Sequence, residues 1–198
     1  MASLSARLTR SRAAERIRKA AVILFRKRGY HGTSLRDLGR AAHLQAGSLY
    51  YYYPSKQEIL FEVLDGAMNE MLDGVSRATC GLSDPADRLR ASVRFHVTFH
   101  ASRRDEAFLS RSELRSLEPT NLRKMLTKRD QYEAVFREAV EAGMREGIFR
   151  VSDVPLTAMA VLTMCSGVAD WFSPRGRLGA EAVAERYAEM ALRLVSSR

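Results

Sequence analysis

Between Thr33 and Lys56 the chain reads TSLRDLGRAAHLQAGSLYYYYPSK, a pattern that fits two short helices joined by a tight turn, with a third helix capped directly after them. Thr33 or Ser34 can cap the first helix, whose apolar positions Leu35, Leu38 and Ala42 fall at i, i+3 and i+7. His43 stands where the chain must turn, and histidine tolerates the left-handed conformation better than most non-glycine residues. A second short helix from about Gln45 to Tyr51 buries Leu44 and Leu49 and leaves Gln45, Ala46, Gly47, Ser48 and Tyr51 outside. Helix, short turn and exposed second helix make a helix-turn-helix unit, the arrangement that presents a helix to the DNA major groove.

Charge supports this reading independently. Residues 1–59 hold 12 Lys and Arg against 3 Asp and Glu, whereas residues 60–198 hold 20 of each, so the whole net charge of +9 sits in the first third. Folding gives no reason to segregate charge this way, because like charges repel; a polyanionic partner does. Arg7, Arg10 and Arg12 by themselves read as a solvated basic tail.

The rest of the chain is helical by period. Ile17, Ala20, Ala21, Leu24 and Phe25 form one stripe on a helix from about Arg10 to Arg28, stopped by Gly29. Ser55 and Glu58 make a capping box for a helix of about five turns that carries Ile59, Leu60, Val63, Leu64, Met68, Met71 and Val75. Asp84 caps a helix with Leu89, Val93, His96, Val97 and His100 on one face. A shorter helix through Phe108, Leu109, Leu114 and Leu117 stops at Glu118-Pro119, and a long one from Met125 to Met144 ends at Gly147. No alternating β-branched run appears. The expected fold is all-α with about nine helices: a three-helix helix-turn-helix domain over 1–58, then a helical domain over 59–198, for which the family resemblance described below implies effector binding and dimerisation.

The last two helices need partners. Val154 to Phe172 is apolar around most of its circumference, and Pro155 and Asp170 shorten its uninterrupted part below the ~20 residues of a bilayer span, so a buried core helix with no membrane role is expected. The final helix repeats Val183, Tyr187, Met190 and Leu194 at spacings of 4, 3 and 4, a seam that a second copy of the chain would cover in a homodimer.

Several function classes find no support. The N-terminus has no apolar run of the kind a signal peptide needs, and Cys80 and Cys165 make neither a disulfide framework nor a metal site, which fits the cytoplasm. His96 and His100 lie at metal-sharing spacing but lack third and fourth ligands, so no metal is expected. There is no Ser/His/Asp ordering, no phosphate loop and no carboxylate pair on an apolar face; no cofactor and no catalytic residue is expected.

The stretch GTSLRDLGRAAHLQAGSLYYYYPSKQEIL, after a first helix ending in RGY, resembles the TetR-type bacterial transcriptional repressors nearly position for position from Gly29 to Leu60. Departures are Tyr51 for a common histidine, Tyr53 for phenylalanine, Gly39 for alanine and His43 for a turn glycine. The resemblance implies an all-α dimer bound to a double-stranded operator, with the fourth helix as a lever and later helices forming a ligand pocket and the dimer interface. It implies that Thr33, Arg36, Gln45, Ala46, Ser48, Tyr50, Tyr51 and Lys56 face DNA. Arg36 and Gln45 have donors suited to base edges, and Ser48, Tyr51 and Lys56 suit phosphate oxygens. Of the four tyrosines, Tyr53 and in part Tyr50 are expected to be structural.

The C-terminal element ADWFSPRGRLGAEAVAERYAEMALRL is similar to endings of TetR-type regulators that sense acyl-coenzyme A thioesters and related lipid or steroid intermediates. The expected effector wall is Phe95, His96, Phe99, His100, Leu114, Leu117, Tyr132, Phe136, Met164 and Trp171, apolar with a few polar handles. Arg103, Arg104, Arg111 and Arg115 read either as a solvated face or as a basic mouth for an anionic head group. The expected function is a ligand-responsive repressor whose effector is a lipophilic metabolite such as an acyl-CoA. The alternatives are a constitutive DNA-binding protein and a regulator answering a lipophilic cation, for which Glu113 is the obvious buried carboxylate.

Overall fold

The computed structural model describes residues 2–196; the side chains of residues 2–11 and of Ala46 lie outside the description. Among the described residues there is no strand. The first helix, α1 (Ala2–Arg28), begins earlier than the expected Arg10 and ends where Gly29 takes φ +72°, a conformation that favours glycine. Next come α2 (Leu35–Ala41), α3 (Ala46–Tyr52) and α4 (Lys56–Thr79). Ser34, not Thr33, caps α2: its hydroxyl accepts from the Asp37 N–H at 3.1 Å, and the Asp37 carboxylate accepts from the Ser34 N–H at 3.1 Å. His43 makes the turn with φ +56°. Ser55 Oγ accepts from the Glu58 N–H at 3.2 Å at the start of α4.

Beyond these lie α5 (Pro85–Ser102), capped by Asp84, then α6 (Arg104–Ser112), a 3-10 turn (Leu114–Ser116) and α7 (Pro119–Arg145). The chain finishes with α8 (Val154–Ser166), capped by Asp153, the single turn α9 (Val168–Trp171) and α10 (Ala180–Val195).

Packing divides the chain into two compact units, residues 1–67 with 108–125, and residues 68–107 with 126–198. This differs from the expected 1–58 and 59–198, because side chains tie the stretch from Phe108 to Met125 to the N-terminal helices. The Arg26 guanidinium lies 3.7 Å over the Phe108 ring, the Lys124 ammonium lies 5.1 Å over the Phe61 ring, and Gln57 binds the backbone at Ser116 and Glu118. The first unit buries Ile17, Ala21, Phe25, Leu38, Leu49, Ile59, Leu60 and Leu109.

In the second unit α10 packs along α5 through Ala184, Ala188, Ala191 and Val195. Three alanines on one face let two helix backbones approach closely. The expected seam therefore divides. Val183 is only 2% exposed and belongs to this inner face, a correction, whereas Met190 and Leu194 stand outward at 42% and 52%. Of the helix expected to be covered on several sides, α8 turns Ala158, Val161 and Cys165 inward within one chain and leaves Leu156 and Met159 exposed.

Candidate nucleic-acid interface and effector region

The helix-turn-helix presents most of its expected residues. Arg36 on α2 and Gln45, Ser48, Tyr50 and Tyr51 around α3 are exposed; the Ala46 side chain lies outside the described residues. Gln45 occupies the N-cap of α3 without a side-chain capping bond, while its carbonyl accepts the Ser48 N–H at 2.9 Å. A Ser or Asp at that position would direct its oxygen back to the helix. Gln45 instead keeps its carboxamide out of the cap. Tyr53 is buried, as expected, but Tyr50 is 61% exposed, so it has no part in the core.

Two residues are corrected. Thr33 is 1% exposed, and its hydroxyl donates to the Gly29 carbonyl at 2.9 Å, which closes the end of α1 and turns the side chain inward. The Lys56 ammonium is engaged within the protein. Nζ donates to the carbonyls of Tyr30 and Thr33, each at 2.8 Å, and lies 4.2 Å over the Tyr30 ring. Burial lowers its pKa from the ordinary lysine value. Lys56 is thus a clamp that holds the α1–α2 connection to the start of α4. A readable signal existed: a lysine in the first turn of a helix opposes the macrodipole and asks for a compensating partner.

Gln57, next to it, carries no sequence signal. Its Nε2 donates to the Tyr30 hydroxyl at 3.0 Å and to the Ser116 carbonyl at 2.6 Å, and its Oε1 accepts the Glu118 N–H at 3.1 Å. Burial, opposed by the Gln57 bond and reinforced by the Glu118 charge, holds the Tyr30 phenol above its usual pKa. A groove of about 240 Å³ in this unit, lined by Arg16, Lys19, Ile23, Leu24, Ala41 and His43 among others, falls short of an ordinary ligand pocket of ~300–1,000 Å³.

In the second unit His96, His100, Tyr132 and Phe136 come together. His96 and His100 stack, and His96 lies 5.7 Å from the Tyr132 ring and 6.0 Å from Phe136, centroid to centroid. Both imidazole nitrogens of His96 are bonded, Nδ1 with the Tyr132 hydroxyl at 3.2 Å and Nε2 with Ser166 Oγ at 3.0 Å. Burial, then His100, pushes the His96 pKa well down, so the ring is neutral, with one nitrogen donating and the other accepting. Burial raises Tyr132 and pushes the Cys165 thiol up to about 12.

The remaining expected wall residues scatter. Phe99 sits 6.1 Å from His100, and Met164 is half-buried. Phe95 covers Gly74 so closely that a Cβ there would overlap its ring. Trp171 is corrected: it is 55% exposed and stacks on Tyr187 of α10 at 6.3 Å, on the outer surface. Arg103 is corrected too, since it pairs with Glu70 at 2.7 Å and Glu106 at 3.3 Å, and Arg104 donates to the Ala169 carbonyl at 3.0 Å. Arg111, Leu114 and Leu117 belong to the first unit. Glu113 accepts the Ser116 hydroxyl at 2.9 Å. No group of three His, Cys, Asp or Glu gathers among the described residues.

A basic helix-turn-helix joined to a separate helical unit defines a DNA-binding regulator. Residues 17–63 match the bacterial regulatory proteins of the tetR family, and residues 82–195 match the tetracyclin repressor-like C-terminal domain. The chain belongs to the TetR family of bacterial transcriptional repressors. A tetR-family regulatory protein from Rhodococcus RHA1 superposes with a TM-score of 0.88 at 31% identity, over 94% of this chain and 98% of that one. The transcriptional repressor KstR2 of Rhodococcus jostii is 24% identical over 87% of this chain and 85% of its own length. AibR, solved with isovaleryl coenzyme A and operator DNA, shares the fold with a TM-score of 0.82 at 24% identity, over 90% and 97% of the two chains.

Proposed function

We propose that this repressor binds a palindromic operator in the cytoplasm as a homodimer and leaves it when a lipophilic acyl-coenzyme A occupies the second unit. The observation that carries the reading is the pairing of two exposed surfaces: the polar tip of α3 with Gln45, Ser48 and Tyr51, and the apolar surface of α8 to α10 with Leu156, Met159, Trp171, Met190 and Leu194. Apolar residues this large, left outward on adjacent helices, are stabilised by a second copy, and two copies present two recognition helices to two half-sites.

The effector reading rests on the His96, His100, Tyr132 and Phe136 cluster and on the relatives. The ring faces suit an acyl chain, while His96, Tyr132 and Ser166 are polar groups that can exchange their mutual bonds for a thioester carbonyl. AibR, solved with isovaleryl coenzyme A, favours a thioester over a cation. Response requires only that the thioester bind more tightly to one spacing of the recognition helices than to the other. The test is to titrate acyl-CoAs of graded chain length, free fatty acids and lipophilic cations against the protein–operator complex by fluorescence anisotropy. Release by thioesters at micromolar concentration is expected. Release by cations alone overturns the effector assignment, and release by nothing makes the chain a constitutive DNA-binding protein.

A further inference from the structure

We infer that Gln57 is a positioning residue that couples the 3-10 turn at Leu114–Ser116 and the following Leu117–Glu118 segment to the DNA-binding face, as a second line of communication beside the α4 lever. The inference rests on the repressor reading and deepens its regulation. The geometry lies wholly within the first unit. One carboxamide holds two stretches of chain 59 and 27 residues away: the Ser116 carbonyl and Glu118 N–H on one side, and the Tyr30 hydroxyl on the other. Both Nε2 hydrogens and the carbonyl oxygen are engaged, so the amide plane is fixed and a shift of either stretch must be followed by the other or break a bond.

The Tyr30 side of the contact leads to the recognition unit. The carbonyl of Tyr30 accepts from Lys56 Nζ at 2.8 Å and from the Thr33 N–H at 3.3 Å, and Ser34, the next residue, caps α2. The Ser116 side leads elsewhere. The 3-10 turn lies between α6 and α7, and both helices have one end in the second unit, residues 104–107 of α6 and 126–145 of α7. A rearrangement in the second unit therefore has a continuous covalent path to Ser116 and Glu118 that does not run through α4. Glu113 fortifies this end: it accepts the Ser116 hydroxyl, and a Cβ added at Gly29, at the end of α1, would meet its carboxylate at 3.5 Å.

Linkage makes the coupling testable without knowing the effector, because a segment that acts on the DNA-binding face must respond when DNA binds that face. The full-length protein is compared with Gln57→Ala and Tyr30→Phe by residue-resolved hydrogen exchange, free and with an operator duplex selected from a random library. In the free protein, Gln57→Ala should speed exchange about fivefold or more at the Glu118 amide, its direct partner, and also at the Thr33 amide, which it never touches. With duplex bound, the wild type should slow exchange at Glu118. Tyr30→Phe, which keeps the ring under Lys56 and the bonds of Gln57 to Ser116 and Glu118, should leave free-protein exchange at Glu118 unchanged and abolish the slowing. Neither variant should change operator affinity by more than about threefold. Acceleration confined to Glu118 in Gln57→Ala, or slowing that persists in both variants, overturns the inference. If no duplex is retained by any of the three proteins, the repressor reading fails, and exchange at Thr33 still decides whether the two stretches are coupled.

Discussion

The rings of His96 and His100, one turn apart on α5, lie face to face with centroids 4.1 Å apart and planes 12° from parallel. Two imidazoles at that separation cannot both carry a proton cheaply in a buried site, and His96 is already held neutral. The unfolded chain protonates His96 near pH 6.5, while the folded chain resists. The unfolded state thus binds more protons below that value, so stability from this group is flat above pH 6.5 and is lost as pH falls below it. Urea unfolding should show a loss of up to about 1.4 kcal/mol per pH unit from His96 in this window. In His96→Phe that slope should shrink at lower overall stability, because the Tyr132 and Ser166 hydroxyls lose their partner. An unchanged slope assigns the acid sensitivity to other groups.

Lys56→Ala separates a clamp from a phosphate contact. Removal of the ammonium takes a charged donor from two partly buried carbonyls, those of Tyr30 and Thr33, which should cost about 1–3 kcal/mol in thermal or urea unfolding. The slope of log affinity against log salt should stay as in the wild type. A phosphate contact would instead lower that slope by about one with little change in stability.

On the DNA side, Gln45→Ala should relax discrimination at one base position of each half-site by about 1–3 kcal/mol, because a carboxamide reads a base edge. Tyr51→Phe should weaken binding to every sequence alike, since a hydroxyl on a phosphate carries no sequence information. Thr33→Val should leave base preference untouched and lower stability by about 1 kcal/mol through the lost bond to Gly29. Quantitative binding to single-substituted operators distinguishes the three.

The proposed homodimer would meet on the outer face of α8 to α10. Met190→Glu should give folded monomers by light scattering and circular dichroism, because residue 190 is 42% exposed within one protomer. Val183→Glu should unfold the second unit, since it places a charge in a site 2% exposed. A Met190→Glu protein that remains dimeric puts the interface elsewhere.

The sequence carried local structure well. Ser34, His43, Ser55, Asp84 and the glycines at 29 and 147 act over three or four residues, and each stands where its chemistry requires. What escaped the sequence was long-range. Lys56 at a helix start signals only that it needs a partner, and Gln57 looks like an ordinary polar residue; only the fold brings Tyr30, Ser116 and Glu118 to them. Periodicity assigned α10 an apolar stripe through Tyr187 and Leu194, but the inner face belongs to Ala184, Ala188 and Ala191, whose small side chains give a weak hydropathy signal and a close approach. Trp171 was expected on the effector wall, yet it lies outside against Tyr187.

The central claim is that two copies of this chain read a palindrome. Selection of bound duplexes from a random library, followed by anisotropy titration of the enriched sequence and determination of stoichiometry, tests it directly. The account predicts an inverted repeat with half-site centres about one helical turn apart or somewhat more, an even number of protomers per duplex, and an affinity that falls steeply with salt. No enriched sequence, a single half-site held by one protomer, or a flat salt response would contradict it.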